Sequence, residues 1–160
     1  MRADRIAALA GIYGLAMVMG ALGFQYIGHV LPCEMCHWQR WPLDGAFFIG
    51  VGAAALSMAG ILDKKSVTVL ALIALGLIAI SGSIGAYQAG VEWKLLPGPS
   101  SCTGARFVFH GAAGLSNVPP VVPCDVASWR LFGISLAGYN ALCSLGAAFL
   151  GAVLLLRRKT

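Results

Sequence analysis

Residues 66–91 read SVTVLALIALGLIAISGSIGAYQAGV, an unbroken stretch without Asp, Glu, Lys or Arg. A helix that crosses a hydrocarbon core of about 30 Å needs roughly 20 apolar residues, at about 1.5 Å each. This run meets that length, and three others lacking those four residue types do as well: 6–33, 45–62 and 131–156. An unpaired backbone amide in hydrocarbon is too costly for irregular chain, and none of the runs alternates like a barrel strand. The expected architecture is therefore an all-α membrane protein, a bundle of four transmembrane helices. The expected spans are Ile6–Gly28, Gly45–Leu62, Val67–Gly90 and Leu131–Leu156, within one integral membrane domain over 1–160. Exported loops are expected at 29–44 and 91–130.

Composition agrees. Hydrophobic residues make up 59% of the 160 and charged residues 11%, with a mean hydropathy of +0.82. Soluble domains hold about 45–50% apolar and about 25% charged residues. Met1–Ala21, with Arg2 and Arg5 ahead of an apolar run, has the outline of a secretory signal. The run exceeds the usual length of about 7–15 residues and three spans follow it, so it is read as the first span. Of the 11 Lys and Arg residues, Arg2, Arg5, Lys64, Lys65, Arg157, Arg158 and Lys159 lie on one side of a four-span layout. Arg40, Lys94, Arg106 and Arg130 lie on the other, scattered over longer loops. The positive-inside rule places both termini in the cytoplasm. The net charge of +5 is thus a topology signal. No basic stripe interleaved with aromatics accompanies it, so nucleic acid is not an expected partner.

Four of the five cysteines fall in the two exported loops: Cys33 and Cys36 in the first, Cys102 and Cys124 in the second. Cys143 lies in the last span. Five of the seven prolines, Pro97, Pro99, Pro119, Pro120 and Pro123, sit in the second loop, which is expected to be irregular, with Phe107–Val108–Phe109 dipping toward headgroups beside Trp93. Cysteines on the outer side of a bacterial inner membrane meet an oxidising environment and are expected to pair, and four of them allow three full pairings. Cys33-Glu34-Met35-Cys36 is a C-x-x-C, a spacing that closes a small ring able to open and re-form and that favours the thiolate. The same spacing builds zinc sites, but the position of Cys102 and Cys124 fits no familiar zinc pattern, and no metal site is expected. His37 completes the haem-attachment string C-x-x-C-H, yet that reading leaves the second cysteine pair without a role.

The segment Pro32-Cys33-Glu34-Met35-Cys36-His37-Trp38-Gln39-Arg40 resembles the P-C-x-x-C-x-x-x-R segment of the DsbB family, the membrane disulfide-generating proteins. The likeness runs over nearly the whole chain: four spans, a C-x-x-C after the first, and two cysteines in the second exported loop. Tyr87–Cys102 and Trp129–Asn140 are similar to family sequence as well. Gln88 is a departure, standing where many members have histidine. The resemblance implies a thiol:quinone oxidoreductase of the bacterial inner membrane with its cysteine loops in the periplasm. It would reoxidise a thioredoxin-fold dithiol oxidase of the DsbA type and pass the electrons to the membrane quinone pool, ubiquinone rather than menaquinone. A DsbA–DsbB–quinone relay is known to keep bacterial periplasm oxidising. By the same resemblance Cys102 is the sulfur attacked by the partner and Cys124 its bridge partner. Cys124 then engages Cys33, and Cys36 faces the quinone. Arg40, about one helical turn beyond Cys36, would stabilise the Cys36 thiolate and a quinone oxygen, with interfacial snorkelling as the competing reading. Vitamin K epoxide reductases share four helices and a C-x-x-C, but their loop pair precedes it. A structural subunit whose disulfides only stiffen loops is the third reading. Cys143 is expected to be a buried packing thiol, Tyr139 and Asn140 to touch either the quinone or a neighbouring helix, and Gly20, Gly23, Gly50, Gly52, Gly82 and Gly85 to allow close helix contact.

Overall fold

The computed structural model describes residues 3–103 and 122–157. Its helices are α1 (Ala3–Tyr26), α2 (Glu34–Met58), α3 (Lys64–Glu92) and α4 (Leu136–Leu156), with a two-residue hairpin, β1 (Arg130–Leu131) and β2 (Ile134–Ser135), just before α4. All four helices are long and apolar enough to cross a membrane. Each of the last three begins at a side-chain cap that satisfies amide groups the first helical turn leaves unpaired. Cys33 Sγ accepts from Cys36 N for α2, Asp63 from Lys65 N and Ser66 N for α3, and Ser135 Oγ from Gly138 N for α4. The hairpin turns on Phe132 and Gly133, with φ of 50° and 81°, the left-handed pair that a two-residue turn of this hand requires.

The second helix starts at Glu34, not at Gly45, so the C-x-x-C belongs to a helical turn instead of a free loop. The charges at Glu34, Arg40 and Asp44 mark the edge of the hydrocarbon layer; they do not stop a helix, which continues into the polar interface with its hydrogen bonds intact. Pro42 is carried within α2, where it leaves the Trp38 carbonyl without its usual intrahelical donor. At the other end, α4 begins at Leu136, later than Leu131, because β1 and β2 take the intervening residues. The Phe107–Val108–Phe109 stretch lies outside the described residues.

Helices α1 and α2, α2 and α3, and α3 and α4 pack side by side, and α1 also touches α3. The core is built largely of alanine, with Ala7, Ala10, Ala46, Ala53, Ala71, Ala74 and Ala148 around Ile6, Leu43, Leu75 and Ile78. In lipid, helices gain little from burying large apolar side chains against each other, and close approach of small residues supplies the van der Waals contact. Large side chains such as Phe48, Leu142 and Phe149 face outward. A Cβ on Gly50 would stand 2.5 Å from Ala7 O, and one on Gly11 would stand 2.7 Å from Val51 N, so α1 and α2 touch backbone to backbone there. Gly82 and Gly85 do the same for α3 against α4, whereas Gly20, Gly23 and Gly52 have nothing within 4 Å among the described residues.

Candidate active site

Cys33 sits where the α1–α2 connection enters α2, its backbone extended and its sulfur accepting the Cys36 amide at 3.3 Å. That cap fixes the neighbouring thiol: Cys36 lies in the first turn with its sulfur 2.6 Å from Cys33 Sγ. Both are free thiols, at a separation from which side-chain motion alone brings sulfurs to bonding distance. The unpaired amides of a helix N-terminus also make this a place that accommodates a negatively charged sulfur.

Cys102 and Cys124 are joined by a disulfide with Cα atoms 5.4 Å apart, and Cys124 N donates to Cys102 O at 2.9 Å. The strand of chain carrying Cys102 is held to α3 by the Tyr87 hydroxyl, which donates to Pro97 O at 2.6 Å. The Cys124 segment is held by Lys94, whose ammonium donates to Asp125 Oδ2 at 2.6 Å and to Asp125 O at 3.1 Å. Lys94 keeps the Asp125 carboxyl below the ordinary carboxylate range, chiefly through that hydrogen bond. The pairing is therefore complete at neutral pH and is lost only as acid carries the pH down through the lowered value.

Cys33, Cys102 and Cys124 form one buried cluster with Met35, and Cys36, Trp38 and Val122 pack against it. Exposure is 5% for Cys33, 2% for Cys102 and 0% for Cys124. The four loop cysteines singled out in the sequence are thus gathered at one end of the bundle, with Cys36 the less buried member of its pair.

Beside Cys36 a cavity of about 280 Å³ opens among the four helices, with α3 contributing Gln88 and Glu92. Its walls are mostly apolar, with Met17, Phe24, Leu31 and Leu43 among them, and its polar groups include Arg40, Gln39, Gln88, Glu92 and Asn140 beside Cys33 and Cys36. Phe24, Trp129 and Tyr139 make an aromatic wall, with ring centroids 5.1 Å and 6.4 Å apart along the row. Arg40 reaches the cavity from α2 while its guanidinium donates to Gln25 Oε1 at 2.7 Å and Ala21 O at 3.4 Å on α1. Tyr139 gives its hydroxyl to Leu131 O, and Asn140 turns inward to Gln39 and Ser81. Cys143 is exposed and is not the buried packing thiol expected of it; it stands on α4 among the residues that line the cavity.

Three residues that sequence reasoning left without a role complete the site. Gln39 and Gln88 are buried and bonded to each other at 2.7 Å, and Gln88 Nε2 lies 3.3 Å from Cys33 Sγ. Glu92, 7% exposed, accepts from Gln88 through Oε1, and its Oε2 is the one buried side-chain oxygen without a partner among the described residues. The signal was present as polar residues spaced i, i+4 at the end of an apolar run, Gln88 and Glu92 on α3, a pattern that inside a membrane points to a site.

Among solved structures none matches this chain. A disulfide bond formation protein B 1 from Burkholderia lata is 33% identical over 158 residues, covering 88% of this chain and 82% of that protein. A disulfide bond formation protein B from Acidovorax sp. is 31% identical over 162 residues, covering 96% and 87%. One from Polaromonas sp. is 26% identical over 162 residues, covering 96% and 90%. The pattern of the family described as disulfide bond formation protein DsbB matches residues 3–154, so this four-helix membrane protein, with its thiol pair packed against a disulfide, belongs to the DsbB family.

Proposed function

We propose that this protein takes electrons from a reduced thioredoxin-fold partner of the DsbA type and delivers them to a membrane quinone, generating disulfides on the outer side of the bacterial inner membrane. The observation that carries this reading is the packing of Cys33, Cys102 and Cys124 in one buried cluster directly above the cavity that Cys36 and Arg40 line. The charge asymmetry of the sequence supports both termini in the cytoplasm and both cysteine pairs in the periplasm.

The cavity fits a quinone headgroup. It has apolar and aromatic walls for a flat ring and a guanidinium to meet one carbonyl oxygen. When bound, a quinone supplies the acceptor for two electrons and two protons that thiol exchange alone lacks. Ubiquinone is the expected species.

The steps on this chain follow from exchange chemistry. A partner thiolate attacks Cys102 Sγ, the Cys102–Cys124 bond breaks, and Cys124 leaves as a thiolate. Because Cys102 is buried, this attack follows displacement of the segment that Lys94 and Tyr87 hold down. The partner's second thiol then attacks its own mixed sulfur, releasing Cys102 and an oxidised partner. Cys124 attacks Cys33 of the closed Cys33–Cys36 pair and frees Cys36. Cys102 recaptures Cys124, which leaves Cys33 and Cys36 as a dithiol. Cys36, beside the cavity, is the exit for the electron pair, and closing the Cys33–Cys36 bond releases two electrons and two protons. Arg40, in the cavity wall beside Cys36, would hold an oxygen of the bound quinone and balance the charge on Cys36.

Trapping tests the entry point. With Cys124→Ser the free Cys102 thiolate attacks the disulfide of the oxidised partner, forming a mixed disulfide and freeing the partner's second thiol; no Cys124 is left to displace it, and a non-reducing gel shows the adduct. Adding Cys102→Ser removes it. An adduct that persists without Cys102 and requires Cys33 reverses the order of the relay.

A further inference from the structure

Gln88 is 4% exposed and stands over both thiols, with Nε2 3.3 Å from Cys33 Sγ and 3.7 Å from Cys36 Sγ. An amide can be turned either way, and here two backbone carbonyls decide. Met35 O lies 3.2 Å from Gln39 Nε2, and Ser81 O lies 3.2 Å from Asn140 Nδ2. A carbonyl only accepts, so both contacts must be made by NH2 groups. Asn140 therefore donates to Gln39 Oε1 at 2.7 Å, and Gln39 donates to Gln88 Oε1 at 2.7 Å. The remaining end of Gln88, its NH2, is forced onto the sulfurs and onto Glu92 Oε1 at 3.2 Å. Farther back, Ser144 gives its one proton to Asn140 Oδ1 at 2.7 Å, so the Tyr13 hydroxyl, 2.9 Å away, is the donor to Ser144. A single-direction row of donors thus runs through α1, α4, α2 and α3, and its last member points at the thiol pair. In such a row each bond polarises the next.

A donor held on sulfur acts differently on the two redox forms. A thiolate is a strong, charge-assisted acceptor, whereas a disulfide sulfur is a weak one. We propose that Gln88, locked in orientation by this row, stabilises the reduced Cys33–Cys36 pair and so makes its disulfide a stronger oxidant than a C-x-x-C at a bare helix N-terminus. This rests on the redox role proposed above for that pair, and it assigns part of its driving force to an amide on the neighbouring helix α3.

The whole chain in mild detergent, free of quinone, is equilibrated with glutathione buffers, its thiols are alkylated, and each pair is read separately by peptide mass spectrometry. Reduction consumes two glutathione thiols, breaks one Cys–Cys bond, and yields one glutathione disulfide and two cysteine thiols. Gln88→Met keeps the bulk and removes the donor, and it should shift the Cys33–Cys36 equilibrium about tenfold toward the disulfide, about 30 mV for a two-electron couple. Gln88→Asn keeps an amide for the neighbouring polar groups but withdraws the NH2 by one methylene, and it should shift the equilibrium about threefold the same way. The Cys102–Cys124 pair should stay where it was. An unmoved Cys33–Cys36 midpoint in either folded variant overturns the inference, as does an equal shift of both pairs, which is what simple loosening of the fold produces. If Cys33 and Cys36 of the unsubstituted chain never close in any buffer, the redox reading itself fails, a result separable from the first two.

Discussion

Replacing any one of Cys33, Cys36, Cys102 or Cys124 by Ser should lower quinone-dependent oxidation of the partner by about 100-fold or more, and a second replacement among them should add almost nothing. The reason is that the four sulfurs act as a unit. They form a bonded pair and a thiol pair in one buried cluster, and each exchange step needs the sulfur that the preceding one releases. Cys143→Ser provides the contrast. That side chain is exposed on α4 at the cavity wall but outside the cysteine cluster, and its change to a hydroxyl of similar size should leave turnover within about twofold. Steady-state assays on the five single variants decide this. A loss at Cys143 equal to the losses at the others means a pair has been misassigned.

Arg40 carries the second large effect. Its guanidinium ties α2 to α1 through Gln25 Oε1 and Ala21 O and still presents further N–H groups to the cavity beside Cys36. Arg40→Lys keeps the charge but loses the planar fork, so a lysine that reaches the cavity gives up one of the two ties. Quinone affinity should fall by about tenfold, roughly 1.4 kcal/mol. Arg40→Met removes the charge as well and should cost more, because no cation then offsets negative charge on the Cys36 sulfur. Mixed-disulfide formation at Cys102, measured without quinone, should be nearly unchanged, since Arg40 is not part of the buried cysteine cluster. The apparent KM for quinone, set beside the rate of adduct formation, separates the roles. Equal losses in both would make Arg40 a residue of the fold alone.

The four helices were legible because charges are confined to the edges of apolar runs, a constraint lipid imposes on any spanning segment. Their ends were less so. Nothing in Glu34, Arg40 or Asp44 says whether an interfacial stretch is helical, and cysteine is not a residue that announces an N-cap, so the placement of Cys33 at the head of α2 was hidden. Pairing of the exported cysteines was open among three patterns on spacing alone, since loop closure says little about which ends meet. The Cys102–Cys124 bond depends on straps from Tyr87 and Lys94 that tie distant chain to α3. The glycines show the same limit: Gly50, Gly82 and Gly85 sit at helix contacts, Gly20, Gly23 and Gly52 do not, and Gly11 and Gly14 were overlooked. Which face a glycine occupies depends on helix rotation, and every face of these helices is apolar. For the same reason the row from Tyr13 to Gln88 is visible only once four helices are set in register.

The relay as a whole is tested most directly by mixing the purified protein in mild detergent with ubiquinone and a reduced DsbA-type partner, then following quinone absorbance and partner thiols together. The account predicts catalytic loss of the oxidised quinone at one molecule per partner disulfide formed, abolished by Cys102→Ser. Partner oxidation that proceeds while the quinone spectrum stays unchanged, or quinone reduction that survives Cys102→Ser, would contradict it.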